Sequence, residues 1–282
     1  MVISGFEGLR RSAAVAAIAV AAAGGIAWAA SDASPWEGND RTAVRLIAGS
    51  SGAEELIRAG IEIRLKPGWH TYWRYPGDAG VPPRFDFTAS QNVDTVRVLW
   101  PAPRRLAEEG LSVIGYGENV ILPLAVVPRD RTKPVTLRLT IEYAVCERLC
   151  VPVQATAELA LTGAPSSHDD ALVHALGQVP KRRALGAVSP LAMRSIAREE
   201  TSTGARVIIE VAGSANVDLF AEGPTPEWAL PLPIALAPSA PGIRRFALVL
   251  EGAPPGVRYE GSLITITAVT AGEATETVVP IP

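Results

Sequence analysis

The feature that most constrains this chain's fold is a two-residue alternation broken by a pair of cysteines. Val135, Leu137, Leu139, Ile141 and Tyr143 alternate with Thr136, Arg138, Thr140 and Glu142. After the cysteines, Ala155, Ala157, Leu159 and Leu161 alternate with Thr156, Glu158 and Ala160. Successive side chains on a strand point to opposite faces, so each run reads as a strand with one buried face. A hairpin centred on Arg148 aligns both patterns. It sets Leu137 opposite Leu159, Leu139 opposite Ala157, Thr140 opposite Thr156 and Arg138 opposite Glu158, all favourable cross-strand pairs.

The same register puts Cys146 opposite Cys150 across a turn of Glu147, Arg148 and Leu149. Directly opposed Cα atoms lie about 4.5–5.5 Å apart, which suits a disulfide. Both cysteines have the parity of the polar face, with Glu142 and Glu158. The turn has no glycine, so a bulge or distortion is expected there. Pro152 has no N–H to donate and belongs on an edge strand. Closing so short a loop contributes about 2 kcal/mol in the chain-entropy account, against about 4.7 for a loop of a hundred residues. A staple would do more between distant strands, whereas a disulfide across a tight edge turn is open to an attacking thiolate. Arg148 would favour a thiolate at either cysteine and Glu147 would oppose it. Spacing alone leaves three readings: a redox pair, an inert clip and a Cu(I) site of two thiolates.

The rest of the chain is organised around similar strands. Its 282 residues allow one large domain or two ordinary ones. A net charge of −3 without a long basic run argues against nucleic acid as partner. The 24 Pro and 25 Gly suit a turn-rich β protein. Arg10 and Arg11, then the apolar stretch Ala13 to Ala23, then Ala27-Trp28-Ala29 read as a cleavable export signal over residues 1–29. No later stretch is long and apolar enough to span a bilayer. Strands are expected around Ile61–Leu65, Arg84–Phe87, Val93–Trp100 and Val120–Val127, with a turn-rich stretch from Lys66 to Pro83. Residues 30–163 then form an antiparallel sandwich of immunoglobulin type. Residues 164–189 read as a linker with one short helix, capped by Ser167, carrying Asp169 and Asp170 in its first turn and ending at Gly177. Alternation at Val207–Val211, Phe246–Leu250, Leu263–Val269 and Thr275–Val279, with a turn at Thr201–Gly204, predicts about seven strands in a second sandwich over 190–282. The fold class is all-β: two immunoglobulin-like antiparallel β-sandwich domains joined by a short helical linker.

Several motifs in order resemble one family. Lys66-Pro-Gly-Trp-His-Thr-Tyr-Trp-Arg-Tyr-Pro-Gly-Asp-Ala-Gly80, Trp100-Pro-Ala-Pro103, Gly115-Tyr-Gly117 and Cys146-Glu-Arg-Leu-Cys-Val-Pro152 are similar to the periplasmic N-terminal domain of DsbD-type thiol:disulfide interchange proteins, in the branch associated with suppression of copper sensitivity. The resemblance covers about Trp36–Gly163. It implies an immunoglobulin-like fold in the periplasm, with Cys146 and Cys150 cycling between disulfide and dithiol. Electrons would come from a separately encoded membrane-embedded thiol reductase domain and pass to periplasmic thioredoxin-like proteins. No cofactor is implied, because the sulfurs carry the electrons. The family shields its pair with a cap loop bearing an aromatic residue. The matching stretch is Leu111–Gly117, with Tyr116 as the aromatic and Gly115 where a second is usual. Tyr116, Glu147 and Arg148 are the expected surroundings of the sulfurs.

Other features read more plainly. The Trp69–Tyr75 aromatic cluster is taken as core filling and turn paving rather than a ligand surface. His70 has no partner nearby in sequence. His168 and His174 do not share a helical face and read as solvated, as does the pair Glu108-Glu109. Trp228 reads as a packing anchor of the second sandwich. No phosphate loop, serine-nucleophile motif or metalloprotease motif is present. Two competing functions are a periplasmic copper-binding protein using the same thiolates and a non-catalytic binding module with a structural disulfide.

Overall fold

Runs of alternating residues separated by Gly and Pro become strands throughout the chain. The computed structural model describes residues 1–2, 31–51, 56–77, 79–108, 111–202, 204–213 and 216–282. The expected export signal lies outside the described residues apart from Met1 and Val2. In chain order the first strands are β1 (Glu37–Gly38), β2 (Thr42–Ser51), β3 (Ile57–Leu65), β4 (His70–Gly77), β5 (Arg84–Asp86), β6 (Val93–Val98), β7 (Arg104–Glu108), β8 (Leu111–Tyr116), β9 (Val120–Pro128), β10 (Val135–Cys146) and β11 (Cys150–Leu161). They form two facing sheets, β1-β2-β3-β9-β6 and β11-β10-β4-β8-β7, with β5 also pairing β10. The core between them includes Leu46, Ile61, Ile63, Trp73, Leu122, Leu137, Leu139 and Ile141.

The hairpin β10–β11 has the register its alternation dictates. Leu137 faces Leu159, Arg138 faces Glu158, Thr140 faces Thr156 and Cys146 faces Cys150, with no shift along the ladder. The bulge expected from the glycine-free turn is therefore absent from this pairing. The strand carrying Pro152 is an edge strand, as its missing N–H requires.

Two stretches differ from expectation. The region read as turn-rich holds β4, and the stretch read as a cap loop is β8, paired to β4 on one side and β7 on the other. In β4, His70, Thr71, Tyr72 and Trp73 are all buried. A strand covered on both faces shows no apolar–polar alternation, so its sequence lacks the usual signal.

The helix α1 (Asp169–Gly177) follows the first sandwich. Its cap differs from the expected one. His168 holds the N-cap position without a side-chain cap bond, while the Ser167 hydroxyl donates to Asp32 Oδ2 at 2.6 Å. That contact, joined by the Ser167 backbone N–H, brings the Asp32 pKa down to about 2. The helix is docked on the first sandwich. Leu172 is buried against Gly49 and Gly60, where an added Cβ would stand 2.6 and 2.8 Å from its methyl carbons.

The second group of strands is β12 (Lys181–Arg182), β13 (Ala192–Thr201), β14 (Gly204–Ala212), β15 (Asp218–Glu222), β16 (Ile234–Ala240), β17 (Ile243–Val249), β18 (Leu263–Val269) and β19 (Ala274–Pro280). They form the sheets β12-β19-β18-β15 and β13-β14-β17-β16, antiparallel except for the short β12–β19 pair. Their core includes Val207, Ile209, Leu248, Ile264 and Trp228, whose ring meets Tyr259 edge-on. The fold is thus two immunoglobulin-like sandwiches with a short helix between them in sequence. Among the described residues, no helix is long and apolar enough to cross a membrane.

Both sandwiches belong to one compact unit, Ser31–Pro282, and β4 ties them together. Trp73 meets Phe220 with ring centroids 6.1 Å apart. Arg74 donates twice to Glu222, at 2.8 and 2.7 Å, and once to Glu276 at 2.6 Å. Burial works against the Arg74 charge, but the two carboxylates outweigh it and its pKa is raised. The Tyr75 hydroxyl donates to the Leu230 carbonyl at 2.7 Å. Three consecutive residues of β4 thus hold the second sandwich.

Candidate functional site

Cys146 and Cys150 are joined in a disulfide, with Cα atoms 4.2 Å apart. The alternation of β10 turns Val145 and Tyr143 into the main core and leaves Ala144 and Cys146 on the outer face. At this end of β10 the outer face is not wet. Cys146 is fully buried in a second small cluster with Tyr72, Val113 and Ala144, against which Ala79 and Leu106 pack. The polar-face parity read from the sequence is correct, but the burial of Cys146 is the reverse of what it implied. Cys150, one turn away on the edge strand, is exposed. The pair is therefore asymmetric: one cysteine is sealed and the other is exposed.

Tyr72 closes the sealed side. Its register neighbours are Gly115 on β8 and, by continuation of the Thr71–Val145 and His70–Cys146 pairs, Ala144 on β10. The Tyr72 hydroxyl lies 2.9 Å from Cys146 Sγ and 3.1 Å from Cys150 Sγ. A disulfide sulfur carries no hydrogen, so the phenol O–H is the donor in both contacts. Thr71 Oγ1 donates to the Ala144 carbonyl at 2.8 Å and locks β4 to β10 at this level. Gly80, at φ +117°, lies against the phenol, and a Cβ there would collide with the ring. Gly115 is equally restricted, since a Cβ would meet the Thr71 carbonyl oxygen. With the backbone in this position, residue 115 has no room for an aromatic side chain.

The other expected site residues fall differently. Tyr116 is not beside the sulfurs. It is buried in the main core and its hydroxyl donates to the Pro101 carbonyl at 2.8 Å. Burial pushes its pKa well above the ordinary phenol value. The tyrosine that meets the disulfide is Tyr72, a member of the Trp69–Tyr75 cluster expected to fill the core and pave a turn. His70 is buried directly opposite Cys146, with its ring edge-on to Tyr72 at 5.6 Å. Glu147 and Arg148 are exposed on the turn, where water screens their charges. Glu147 reaches back toward Gly68, whose φ of +87° makes the turn before β4. Leu149 at the tip and Val81 after Gly80 are exposed apolar side chains. Among the described residues, no three His, Cys, Asp or Glu side chains are grouped to hold a metal. His174 is exposed and contacts Gln178, while His168 lies 3.8 Å from Asp32.

The site is a half-exposed disulfide at the tip of an edge hairpin on an immunoglobulin-like β-sandwich. The comparisons place it more closely. Residues 41–162 match the family described as thiol:disulfide interchange protein DsbD, N-terminal, so the first sandwich is a domain of that family. The fold matches the crystal structure of the N-terminal periplasmic domain of ScsB from Proteus mirabilis, with a TM-score of 0.69 and 18% identity. That match covers 89% of this chain and 98% of that one, so the shared fold extends over both sandwiches. No curated protein matches the chain.

Proposed function

We propose that the chain is a periplasmic electron relay, a protein-disulfide reductase component working through Cys146 and Cys150. The observation that carries this reading is the asymmetric pair, exposed at Cys150 and sealed at Cys146, within a DsbD N-terminal domain. Thiol–disulfide exchange requires access to the sulfur attacked. A donor thiolate attacks Cys150 Sγ, the Cys146–Cys150 bond breaks, and its electron pair goes to Cys146 Sγ. The donor's second thiolate then attacks the donor sulfur of the mixed disulfide. This releases the Cys150 thiolate and leaves the donor oxidised. Run toward an acceptor, the Cys150 thiolate attacks the acceptor's disulfide and Cys146 resolves the product.

The donor in this reading is a membrane-embedded thiol reductase domain, and the acceptors are oxidised periplasmic thioredoxin-like proteins. The N-terminal segment serves export and is then removed. Leu149 supplies apolar contact beside Cys150, and the exposed Glu147 and Arg148 orient the arriving partner. The encounters are small and transient.

The deciding experiment is the reduction potential of the pair, equilibrated against glutathione and dithiothreitol buffers. A value of about −200 to −270 mV supports relay. A value well below about −300 mV, with the bond closed to reductant in the folded protein, overturns it and leaves a binding module with an inert clip.

A further inference from the structure

We propose that Tyr72 is a catalytic residue of this exchange: its phenol O–H hydrogen-bonds the thiolate that Cys146 becomes when the disulfide opens. The proposal rests on the relay reading of the same disulfide and adds a group to it. When a thiolate bonds to Cys150 Sγ, the S–S bond breaks and the negative charge arrives on Cys146 Sγ. That sulfur is fully buried beside Val113 and Ala144, with no solvent to receive the charge. An unpaired buried charge is strongly unfavourable. The Tyr72 hydroxyl already stands 2.9 Å from it, donating.

The direction of the effect follows from the charge. A hydrogen bond to an ionised acceptor is about twice as strong as one between neutral groups. The Tyr72 contact is therefore weak in the resting disulfide and strong once the bond opens. Interactions that strengthen on the way to the transition state are those that accelerate a reaction. No proton has to leave the tyrosine, so the step balances with the donor thiolate as the only reactant.

The phenol is held for this task. Gly80 covers one face of its ring, and the Thr71 hydroxyl bonded to the Ala144 carbonyl fixes its strand beside Cys146. The contact at 3.1 Å to Cys150 Sγ places the same O–H between both sulfurs. It serves whichever one carries charge as the pair cycles. Among the described residues, the titratable groups around Cys146 are His70 on β4 and Glu147 and Arg148 on the turn, while the residues packed on it from β8 and the covering segment include the uncharged Val113 and Ala79.

The test compares the mature protein with Tyr72→Phe, which keeps the ring and removes the O–H. Reduction by dithiothreitol, followed by stopped flow, is expected to slow by about tenfold to a hundredfold, the range for a lost hydrogen bond to a charged group. A rate within twofold of the parent overturns the proposal while leaving the relay reading intact. A parent disulfide inert to dithiothreitol in the folded state overturns both. A second measurement does not depend on exchange. In Cys150→Ser the remaining Cys146 thiol is titrated by thiolate absorbance, and adding Tyr72→Phe is expected to raise its midpoint by about one pH unit or more. An unchanged midpoint overturns the proposal. Should the phenylalanine variant not fold, a monofluorinated tyrosine at 72, a stronger donor of nearly the same shape, is expected to lower that midpoint. A rise or no change counts against Tyr72.

Discussion

The two ends of the hairpin β10–β11 make opposite use of one pattern. At the open end the outer face is wet, with Arg138 and Glu158 paired at 2.7 Å and side-chain exposures of 36% and 58%. At the turn end the same face buries Ala144 and Cys146 under Tyr72. The parity along β10 is identical at both ends, and the difference lies in the neighbour. β5 pairs with β10 only at Thr140–Glu142, whereas β4 pairs with it at Val145 and Cys146 and brings a large aromatic over the face. Alternation thus settles which face a residue occupies, and the next strand settles whether that face is dry.

The strongest test of that division acts on the face common to both ends. Leu139 is buried in the main core. Leu139→Ala removes packing that owes nothing to the disulfide and is expected to cost about 2–5 kcal/mol. Denaturant unfolding of the oxidised and the reduced protein should show similar losses. A loss confined to one redox state would mean the two faces of β10 are not independent.

Next in size is the tie between β4 and the second sandwich. Arg74→Met takes from Glu222 and Glu276 the cation they share, leaving Glu276 only Arg182, at 3.3 Å. Breaking a fully buried pair costs about 3–5 kcal/mol; with 27% of the Arg74 side chain exposed, roughly 2–4 is expected here. Tyr72 lies two residues away on the same strand, so the dithiothreitol rate should change along with stability. Lost stability with an unaltered rate would show that the second sandwich supports the fold without positioning the dry end of the hairpin.

A smaller effect is expected from the cover. Gly80→Ala places a Cβ against the Tyr72 ring at a backbone angle unfavourable for alanine. The strain is expected to cost about 1–3 kcal/mol and to loosen the seal. In the reduced protein, alkylation of Cys146 should become faster while that of Cys150 stays the same. Equal acceleration at both would point to general unfolding instead.

These contrasts also separate what the sequence could tell from what it could not. The register of β10 and β11, the edge position of Pro152 and the seven strands from Ala192 to Pro280 among the described residues follow from local periodicity and turn chemistry. The disulfide follows from that register. Tyr72 was not legible in the same way. β4 is buried on both faces over His70–Trp73, which removes alternation, and its contact with Cys146 spans 74 residues of sequence. Tyr116 stands in the motif Gly115-Tyr-Gly117. Its parity, one residue out of step with Tyr72's partner Gly115, turns it into the opposite core.

The smallest expected effect is at the wet end. The hydrogen bond between Arg138 and Glu158 lowers the Glu158 pKa and raises that of Arg138. A carboxylate whose pKa is depressed on folding contributes stability at pH values above its unfolded pKa. That contribution is lost as pH falls through the folded value. Both groups stand in water, so solvent and salt screen the term, and two long side chains lose freedom to make the contact. A double-mutant cycle of Arg138→Ala and Glu158→Ala is therefore expected to show no coupling resolvable in the unfolding midpoint at physiological salt. A slight coupling should appear only at low ionic strength and near neutral pH. Strong coupling that persists in high salt would show that this end of the outer face is covered as well, and the contrast with the disulfide end would fail.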